Sequence, residues 1–551
     1  MAYWNIYRNP DVSGYKGIDS FLAILLANRN ISPSEIEYFL NPNYLFDPFL
    51  FDGMKTAVSR IKKAIKNKEK ILIYGDYDVD GISATSILWD FLYNKMHANA
   101  FPFIPSRFTE GYGLNGDKLK EFAKEGYTLV ITVDCGIRDT ENALLAKKLG
   151  IDLIITDHHL ISENIPKSFV NIHPALGYGR PEICGAAVAY KLACALNKKN
   201  EFDMSEYLDL VCLATICDVS KLIGENRAFV NMGLEIINSR KRPGIDSLIK
   251  VSNIDEVDVY HIGFVIGPKI NAPGRLYDPI HSLRLLSTKN KKAAENLSSK
   301  LHQFNIERQN MTKNALEEAW KQIDGSDFFN IVVSNNWGEG IIGLVAGKIT
   351  EESGKPTIAI TSSESKGVYV GSARSIENFN IVDMLDKGKE YLIKYGGHEA
   401  AAGLQIKFED IPKLKLHANN YAKEFLKGRI RDKVLKIDFP IHLKNINYDL
   451  YNQINLLKPF GVGNPQPIFV SYSCIVMSAS NVGNSKKFVK LRLTDKEKNI
   501  YIDSIWFSSI YTPEEIVKFG NVDIAFNITE NTWNGKSDLQ LKILDLKPHS
   551  S

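Results

Sequence analysis

Several features that would place this 551-residue chain in a special class are missing. No uninterrupted apolar run reaches the length of a membrane-spanning helix, and no basic segment followed by an apolar core opens the chain as a signal peptide would. The six cysteines are scattered and form no CxxC pair, which favours buried, reduced thiols of a cytoplasmic protein. Neither an internal repeat nor a low-complexity segment is present. The composition therefore predicts a soluble globular protein with no membrane partner.

The length of the chain limits the number of domains, and its net charge bears on the kind of partner it can bind. The chain is longer than one ordinary hydrophobic core requires, so we expect three or four domains. The formal net charge is only +3. A polyanionic partner would therefore need a local basic surface, which the total charge neither supports nor excludes.

Three apolar runs in the first third of the chain each end in acidic residues. The runs cover 71–74, 129–133 and 153–156, and their alternation with helical stretches predicts parallel strands. They lead, in order, into Asp76-Tyr77-Asp78-Val79-Asp80-Gly81, Asp134-Cys135-Gly136 and Asp157-His158-His159. Because ligand sites in such sheets lie beyond the carboxyl ends of the strands, at least five carboxylates and two imidazoles should converge. So many like charges need cations, and oxygen ligands with imidazole suit Mn²⁺ or Mg²⁺. The sequence predicts a site for two such ions.

The first acidic segment also has a structural explanation. An Asp-rich turn such as Asp76-x-Asp78-x-Asp80 is a common helix N-cap, and taken alone the segment fits either interpretation. An EF-hand loop does not fit, because the twelfth position counted from Asp76 is Ile87 rather than glutamate.

Two other segments are harder to explain as structure. Adjacent histidines at a strand end, His158 and His159, cannot both face the core, so we expect one to ligate metal and the other to face solvent or substrate. A carboxylate at Asp218, after the apolar stretch 213–217, is costly without a metal or a hydrogen-bond partner. Together the four segments favour a metal site.

Changes of pattern along the chain divide it into five segments. The stretch 291–323 is rich in Ala, Glu, Lys and Asn without Gly or Pro, which predicts a long connecting helix. Short alternating strands after about residue 433 predict a small Greek-key barrel such as an OB-fold. The fold class is α/β, with two α/β domains joined by the long helix and a C-terminal barrel. The segments are an N-terminal helical segment (1–50), a first α/β domain with a parallel sheet (51–225), a helical region with the connecting helix (226–325), a second α/β domain (326–428) and the barrel (429–551).

The acidic segments, with Cys217-Asp218, resemble the four motifs of the DHH phosphoesterases, and the Asp-x-Asp-x-Asp form of the first resembles the RecJ branch. Further motifs similar to that branch follow in order. They are Gly267-Pro268-Lys269-Ile270-Asn271-Ala272-Pro273-Gly274-Arg275, Gly371-Ser372-Ala373-Arg374-Ser375, Gly396-Gly397-His398-Glu399-Ala400-Ala401-Ala402-Gly403 and Pro459-Phe460-Gly461-Val462-Gly463-Asn464-Pro465. The resemblance covers nearly the whole chain and implies a DHH core, a DHH-associated domain and an OB-like domain.

The resemblance also implies roles for the site residues. Asp134 would bridge two metal ions. Asp76 would either bind the more weakly held ion or contact the metal ligands without binding metal itself. His159 would contact the scissile phosphate or assist proton transfer. The remaining metal ligands would be Asp78, Asp80, His158 and Asp218.

A second set of residues is expected to bind phosphate. Ser372 and Arg374 follow a predicted strand, Gly397 would let the backbone approach a phosphate, and His398 could donate to it. By resemblance, Arg107 and Arg275 complete a clamp for a terminal phosphate. Without the resemblance, Gly396-Gly397 could be an ordinary turn and each arginine a solvated surface group.

The predicted barrel carries basic and aromatic residues that suit the stacking of a single strand. About half of such aromatic residues should simply fill the barrel interior. The residues are Ser485-Lys486-Lys487-Phe488-Val489-Lys490-Leu491-Arg492, Tyr501, Trp506, Phe526 and Trp533.

The resemblance implies a single-stranded-DNA-specific exonuclease that degrades from the 5′ end and releases mononucleotides in DNA repair and recombination. Its expected partners are single-stranded DNA and a helicase or single-strand-binding protein, and a monomer is expected. One alternative is a small-substrate phosphoesterase for short oligonucleotides or cyclic dinucleotides, which usually lacks such a barrel. Another is a non-catalytic replisome scaffold that binds single strands, whose motifs lose acids.

Overall fold

The parallel sheet expected from the acidic strand ends is present in the computed structural model. It describes residues 3–8, 10–161, 164–179, 183–197, 199–363, 367–426, 434–483, 488–497, 500–533 and 536–549. The chain divides into a barrel unit (Met1–Tyr44, Lys221–Ala228 and Arg431–Ser551) and an α/β unit (Leu45–Ser220 and Phe229–Ile430). Among the described helices, none is both long and apolar enough to span a bilayer.

The strands and helices are numbered in chain order. The strands are β1 (Tyr3–Ile6), β2 (Lys70–Tyr74), β3 (Ala100–Phe103), β4 (Tyr127–Val133), β5 (Asp152–Thr156), β6 (Val170–Ile172), β7 (Asn330–Val333), β8 (Thr357–Ser362), β9 (Val368–Arg374), β10 (Leu392–His398), β11 (Ala401–Lys407), β12 (Val434–Ile437), β13 (Phe439–Pro440), β14 (Phe469–Val482), β15 (Phe488–Thr494), β16 (Tyr501–Trp506), β17 (Asn521–Trp533) and β18 (Lys536–Pro548). The helices are α1 (Ser20–Asn28), α2 (Ile36–Leu40), α3 (Met54–Lys66), α4 (Val79–Asp90), α5 (Gly116–Lys124), α6 (Thr140–Lys148), α7 (Gly185–Leu196), α8 (Leu208–Cys217), α9 (Gly224–Asn238), α10 (Pro243–Val251), α11 (Val259–His261), α12 (Gly267–Leu276), α13 (Ile280–Ser287), α14 (Lys291–Trp320), α15 (Glu339–Ser353), α16 (Ile381–Lys387), α17 (Ile411–Leu426), α18 (Tyr448–Asn455) and α19 (Pro513–Phe519).

The first sheet of the α/β unit is parallel and has the strand order β3-β2-β4-β5-β6. Residues 71–74, 129–133 and 153–156, the three runs expected to be strands, are all buried. This is the pattern of a parallel sheet that is covered by helices on both faces. Since neighbouring strands run in the same direction, the segments after β2, β4 and β5 meet at one edge.

The predicted connecting helix is α14, which has 30 residues and is about 45 Å long. It begins after Asn290, whose side chain accepts a hydrogen bond from the backbone of Ala293 at 3.0 Å. It ends at Trp320, three residues before the predicted end. Buried residues recur on one face at intervals of three or four positions, at Ala294, Ser298, Leu301 and Asn305, and that face packs against α10 and α12.

The second sheet of the α/β unit has the order β10-β11-β9-β8-β7. Strands β7 and β8 are parallel, and the other neighbours are antiparallel. Helix α15 packs against β8 and β9, and an apolar core that includes Phe329, Ile358 and Leu404 lies within this part of the unit.

The barrel unit contains the closed five-stranded barrel that the alternating C-terminal strands predict. Strands β14, β15, β16, β18 and β17 are hydrogen-bonded in that order, and β17 pairs back to β14. Alternate side chains such as Leu491, Trp506 and Phe526 fill its interior. Two short helices within this region, α18 and α19, were not predicted. The predicted boundary at 428/429 lies outside the described residues, and the five segment boundaries remain predictions.

The N-terminal segment differs from the prediction that residues 1–50 are helical. Helices α1 and α2 form, but β1 is a strand that pairs in parallel with β12. Its side chains Trp4 and Ile6 pack with Leu435 and Ile437 in a small apolar cluster. The partner strand lies near the other end of the chain, so no local sequence pattern could indicate it.

Candidate active site

The predicted metal ligands come together at the carboxyl edge of the first sheet. Within each of three groups, the candidate ligand atoms lie within 4.8 Å of one another. The groups are Asp76, Asp78 and Asp134; Asp80, His158 and Asp218; and Asp134, His158 and His159. Because Asp134 and His158 each belong to two groups, the three groups form one continuous site.

The loop after β2 is fixed by backbone hydrogen bonds to side chains. The Asp78 carboxylate accepts hydrogen bonds from the backbone nitrogens of Asp80 at 2.9 Å and Gly81 at 3.1 Å, as the N-cap of α4. The side-chain oxygen of Asn271 accepts a hydrogen bond from the backbone nitrogen of Val79 at 3.0 Å. Asp78 is therefore both a helix cap and part of the ligand cluster, so the two interpretations of this segment are compatible.

The N-terminus of α7 holds the Asp80 carboxylate. The backbone nitrogen of Gly185 donates to one carboxylate oxygen at 2.7 Å, and that of Ala186 donates to the other at 2.6 Å. Unpaired N–H groups and the positive end of the helix dipole favour a negative charge at this place. A Cβ atom at Gly185 would lie 2.5 Å from Oδ1 of Asp134, so only glycine fits. One helix end therefore positions two of the predicted ligands.

Unusual backbone accompanies two other ligands. Asp134 has a φ of 62°, and Val219, directly after Asp218, has a φ of 61°. This left-handed region is costly for residues other than glycine, and such strain concentrates at functional sites. The Asp134 backbone nitrogen donates to the carbonyl of Thr156 at 3.0 Å, which continues the pairing of β4 and β5. The Asp218 carboxylate accepts a hydrogen bond from Ser220 at 2.8 Å.

Burial and mutual repulsion raise the pKa values of the clustered carboxyl groups. Burial and then the charge of Asp78 raise the pKa of Asp76 to about 8. Burial raises the pKa of Asp80 to about 6, and the charge of Asp218 adds to this shift. Burial and then Asp80 raise the pKa of Asp134 well above its usual value. The cluster therefore holds its negative charge only at a cost that a cation would relieve.

Three buried atoms of this cluster make no well-aligned hydrogen bond among the described residues, although two of them, on Asp134 and His158, lie 3.2 Å apart. They are Oδ1 of Asp76, Oδ1 of Asp134 and Nε2 of His158. A buried polar atom without a partner costs about 1–3 kcal/mol, so three in one cluster indicate a missing ligand. Carboxylate oxygens with imidazole nitrogen are donors that Mn²⁺ accepts readily, and the oxygens alone suit Mg²⁺. The residues present therefore fit divalent cations.

The two adjacent histidines have different surroundings. Nε2 of His158 lies 3.2 Å from Asp134 and 3.5 Å from Asp80. Nδ1 of His159 lies 2.7 Å from Asp157, and the hydroxyl of Tyr112 lies 3.2 Å from its Nε2. Burial by itself lowers the pKa of His159, but the hydrogen bond and charge of Asp157 outweigh it and raise that pKa to about 9. The contact with Asp157 therefore favours the protonated form of His159.

Four arginines from separate parts of the α/β unit repel one another beside the acidic loop. Burial, and then the charges of Arg107, Arg308 and Arg374, lower the pKa of Arg275 to about 10. Burial and then Arg107 lower the pKa of Arg374. Gly274, the residue before Arg275, lies against the carbonyl of Tyr77 in the acidic loop, so this cluster adjoins the carboxylates. Half-buried guanidinium groups that lie close together form a binding site for an anion such as phosphate.

Neighbouring groups hold these arginines in place. Arg374 donates to the hydroxyl of Ser372 at 2.9 Å. A Cβ atom at Gly343 of α15 would lie 2.9 Å from Nη2 of Arg374, so the helix approaches closely only because this residue is glycine. The guanidinium of Arg107 stacks 4.4 Å from the ring centre of Tyr77, and its Nε has no partner among the described residues.

His398 and Gly397 lie at the end of β10. Nδ1 of His398 is 3.4 Å from Nη2 of Arg138, and burial, Arg138 and His159 lower the pKa of His398. His398 therefore contacts, from the second sheet, the segment after β4 that also carries Asp134. Gly397 has a φ of +157°, and a Cβ atom there would overlap the carbonyl of Ala401. Its described contacts are with β11 rather than with the arginine cluster.

Several contributors to the site were not predicted. Asn271 lies within one of the motifs named above but was given no role, and Gly185 directly precedes the apolar, alanine-rich stretch 186–196, which is typical of a buried helix. Those two positions carried a signal that could have been used. Arg308 is one charged residue among many on α14, and Tyr112 lies in a loop, so no local pattern marks either of them.

The aromatic residues predicted for the barrel differ in their exposure to solvent. Trp506 and Phe526 are buried in the barrel interior, whereas Tyr501 is exposed. Arg492 lies 5.6 Å from the ring centre of Tyr501, and Lys490 is exposed on the same strand as Arg492. A basic and aromatic surface on β15 and β16 therefore remains. Ser485, Lys486 and Lys487, and the side chain of Trp533, lie outside the described residues.

The parallel sheet, the shared carboxylate and histidine cluster and the adjoining arginines define a metal-dependent phosphoesterase. Three family models match the chain: the DHH family N-terminal domain at 70–215, the DHHA1 domain at 325–424 and the RecJ OB domain at 437–545.

Relatives that match nearly the whole of this chain agree with the family models. The single-stranded-DNA-specific exonuclease RecJ of Bacillus subtilis is 35% identical over 98% of this chain and 70% of the relative, and that of Thermus thermophilus is 30% identical over 90% and 71%. The crystal structure of Thermus thermophilus RecJ with Mn²⁺ aligns with a TM-score of 0.87 and 26% identity, over 100% of this chain and 80% of that one. The chain belongs to the RecJ family of single-stranded-DNA-specific exonucleases.

Proposed function

We propose that this protein degrades single-stranded DNA from the 5′ end, one 5′-mononucleotide at a time, with two Mn²⁺ or Mg²⁺ ions. Single-strand-specific exonuclease activity is that of its family, and RecJ structures contain Mn²⁺ or Mg²⁺. The polarity, the product and the number of ions are the proposal. The observation that carries it is the position of the arginines beside the acidic loop, where Arg107 stacks on Tyr77 and Arg275 follows a glycine packed against the carbonyl of Tyr77, because these arginines supply an anchor for a terminal phosphate next to the hydrolytic site.

The three ligand groups support a site for two ions. Asp134 would lie between the ions, since its carboxylate belongs to two of the groups, and Asp76 would complete the group that contains Asp78. Asp80, His158 and Asp218 would hold the other ion. Two bound divalent cations activate a water and stabilise the attacking and leaving oxygens of an in-line displacement at phosphorus.

His159 would bind the scissile phosphate rather than remove a proton. The hydrogen bond and charge of Asp157 raise the pKa of this imidazole to about 9 against the effect of burial, which favours its protonated, donating form. A protonated imidazole can donate to a phosphate oxygen in which negative charge develops. Tyr112, 3.2 Å from the same ring, would help to orient it.

The phosphate pocket supports 5′ polarity. Arg107, Arg275, Ser372 and Arg374 would bind the terminal phosphate, with His398 on the side that faces His159. An enzyme that holds the end of the strand here would cut at a fixed distance from that end, which limits the product to one short length. Arg308 joins this set because its charge acts on Arg275.

The barrel surface on β15 and β16 would hold the downstream strand. Exposed Arg492 and Tyr501 supply a charge and a ring for single-strand binding, and Lys490 beside them is paired with Asp503 at 2.7 Å. The barrel and the complete set of acids disfavour both alternatives, a phosphoesterase of small substrates and a scaffold without catalysis.

The cellular setting is part of the proposal. Six scattered cysteines with no CxxC pair suit the cytoplasm, where the substrate DNA of a bacterial repair enzyme lies. A helicase or single-strand-binding protein that supplies single strands remains the expected partner, and the protein is expected to act as a monomer.

The test is cleavage of a 5′-phosphorylated strand compared with its 5′-hydroxyl twin in Mn²⁺. The wild-type enzyme should cut the phosphorylated strand faster. Arg374→Ala should reduce the difference about ten- to hundredfold, because a charge-assisted hydrogen bond contributes about 1.5–3 kcal/mol. Arg284→Ala, which removes an exposed arginine of α13 outside the cluster, is the matched control and should keep the preference. Equal rates on the two strands in the wild type would contradict the anchored 5′ end.

A further inference from the structure

An exposed pair of aromatic rings lies on the helical segment that leads to the phosphate pocket. Tyr260 and Phe264 are 61% and 72% exposed, and Phe264 is the most exposed large apolar side chain in the described part of the chain. Their ring centres are 5.1 Å apart and their planes differ by 28°, so the rings are stacked on each other. The pair presents aromatic surface to solvent that the fold itself does not use.

The position of the pair follows from the helix that carries it. Residues 259–276 are continuously helical, through α11, a π-helical turn at Ile262–Ile266 and α12. Arg275, in the arginine cluster, is near the C-terminal end of this segment. Phe264 is eleven residues earlier, roughly 16 Å along the axis at 1.5 Å per residue. The helix therefore extends from the phosphate pocket to the aromatic pair.

The metal cluster lies beside the middle of the same helix. A Cβ atom at Gly267 would overlap Sγ of Cys217, the residue before Asp218, and Gly263 faces Ile216 of the same helix α8. Asn271, one turn further along, hydrogen-bonds the acidic loop at Val79. The order along the helix is therefore phosphate pocket, metal cluster and aromatic pair.

A third apolar side chain is exposed directly beside a predicted metal ligand. Val219 directly follows Asp218 and is 64% exposed, although its φ of 61° is strained for a β-branched residue. A strained apolar residue held at the surface beside a ligand is a feature of substrate contacts rather than of folding. The π-helical turn that carries Phe264 is another such local irregularity.

We propose that Tyr260 and Phe264 form a stacking platform for the bases on the 3′ side of the scissile phosphodiester. The inference rests on the proposed 5′ polarity, since a strand anchored by its 5′ phosphate at Arg275 passes the metal cluster and then reaches the pair. Stacking on aromatic rings accepts any base, as a nuclease without sequence preference requires. The platform would hold the strand in line between cuts and lower KM for strands long enough to reach it.

Nucleobases fit this surface better than a protein partner does. A stable protein interface buries about 800 Å² on each side, far more than two side chains supply. A nucleobase is flat and needs only one ring face. The pair is also continuous with the metal cluster through Gly263 and Gly267, which place the same helix against α8.

The test measures KM and kcat for Phe264→Ala in the full-length protein with Mn²⁺. The substrates are a 5′-phosphorylated thymidine dinucleotide, a 12-mer and a 12-mer with abasic sites at its second to sixth positions. Phe264→Ala should raise KM for the normal 12-mer about tenfold, within the range for loss of one base stack, and leave kcat and the dinucleotide rate unchanged. The abasic 12-mer should bind the wild type weakly and be insensitive to the substitution.

Two further variants keep the test specific. Phe264→Trp retains a ring and should restore the wild-type KM. Tyr93→Ala removes a 48% exposed ring that stacks on Trp89 near the far end of α4, and should change neither KM nor kcat. A Phe264→Ala enzyme with the KM of Tyr93→Ala would overturn the platform, and so would an equal loss on the abasic strand or on the dinucleotide.

Failure of the platform can be separated from failure of the proposed function. If the wild type does not shorten strands from the 5′ end, the proposed polarity is wrong. Tyr260 and Phe264 then cannot be the platform for bases on the 3′ side of the scissile bond. If the wild type does so and Phe264→Ala binds a fluorescent 12-mer as tightly as the wild type, the platform alone is wrong. Restored affinity in Phe264→Trp together with 5′ shortening supports both.

Discussion

At the residue scale, two clusters of opposite charge lie side by side without neutralising each other. The carboxyl groups of Asp76, Asp80 and Asp134 have raised pKa values, and the guanidinium groups of Arg275 and Arg374 have lowered ones. Burial is the largest cause of each of these shifts, and like charges within each cluster add to it, such as that of Asp78 on Asp76 and that of Arg107 on Arg374. A cation bound by the acids and an anion bound by the arginines would relieve this cost.

The first prediction concerns the stability of the metal-free protein between pH 6 and 9. Burial raises the pKa of Asp80 to about 6 and that of Asp76 to about 8, and Asp157 raises the pKa of His159 to about 9 against the effect of burial. The folded state therefore binds more protons than the unfolded state in this range, so stability falls as pH rises through these values. Thermal unfolding in EDTA should show a Tm that decreases from pH 6 to pH 9.

Added Mn²⁺ should remove most of that decrease, because the cation replaces the protons. Asp134→Ala in EDTA should unfold at a higher temperature than the wild type at pH 8, since a buried carboxylate that repels its neighbours is gone. A flat Tm in EDTA, or a lower Tm for Asp134→Ala at pH 8, would contradict the electrostatic account of the site.

A second residue-scale prediction concerns His159 alone. In the metal-free protein its imidazole should titrate near pH 9, because the hydrogen bond and charge of Asp157 hold the proton. Asp157→Asn should move the titration by at least one pH unit toward 6.5, and the NMR shifts of the ring protons report both values. A His159 that titrates near 6.5 in the unsubstituted protein would exclude a protonated imidazole at the scissile phosphate.

Much of the site could be predicted at this scale, because its acids follow apolar strands in the sequence and sheet geometry then places them together. The arginines carried a weaker signal. Arg374 was expected just after a predicted strand and lies within β9, at its end. Arg107 and Arg275 were indicated by resemblance alone, and Arg308 was not indicated at all, because its place depends on how α14 packs in the α/β unit. Of the barrel aromatics, Trp506 is buried and Tyr501 exposed, as the alternation along β16 requires.

At the element scale, helix ends and close helix contacts build the site. The N-terminus of α7 donates hydrogen bonds to Asp80. Helix α15 contacts Arg374 at Gly343 and the carbonyl of Arg275 at Gly340. The strands and the long helix α14 could be predicted because their patterns are local. Strand β1 could not, because its pairing with β12 joins distant parts of the chain.

The prediction at this scale is that Gly185→Ala weakens metal binding. A Cβ atom at this position would lie 2.5 Å from Oδ1 of Asp134, so either the carboxylate or the start of α7 must move. Affinity for Mn²⁺, measured by titration calorimetry, should fall about tenfold or more, as when a group that orients metal ligands is disturbed. Gly325→Ala, at a position with open space around it, should leave the affinity unchanged. Wild-type affinity in Gly185→Ala would show that α7 does not position the ligands.

At the scale of the whole molecule, the candidate catalytic residues and the candidate strand-binding surface of the barrel lie in different units. The carboxylate cluster and the arginine cluster both belong to the α/β unit, and the basic and aromatic surface on β15 and β16 belongs to the barrel unit. Chemistry on very short substrates should therefore depend on the α/β unit alone, whereas affinity for long strands should depend on both. The resemblance covers both units and indicated this division from motif order, although it could not indicate that residues 3–44 belong with the barrel.

The barrel prediction uses Arg492→Ala and Tyr501→Ala. Both should weaken binding of a long single strand and leave the rate on a dinucleotide unchanged. Arg492→Ala should also lower the slope of log affinity against log salt by about 0.7 if it contacts one phosphate of a single strand. Tyr501→Ala should lower affinity without changing that slope, and Lys518→Ala, an exposed lysine of α19, serves as the control. Unchanged affinity in both variants would favour a structural role for this surface.

The central claim is that a strand held by its 5′ phosphate is cut one nucleotide from that end. The most direct measurement is product analysis of the same single strand labelled at its 5′ phosphate or at its 3′ end, digested briefly in Mn²⁺. The 5′ label should appear at once as a mononucleotide, while the 3′ label passes through a ladder that shortens one nucleotide at a time. A 5′ label retained in long fragments while the 3′ label is released first would contradict the account.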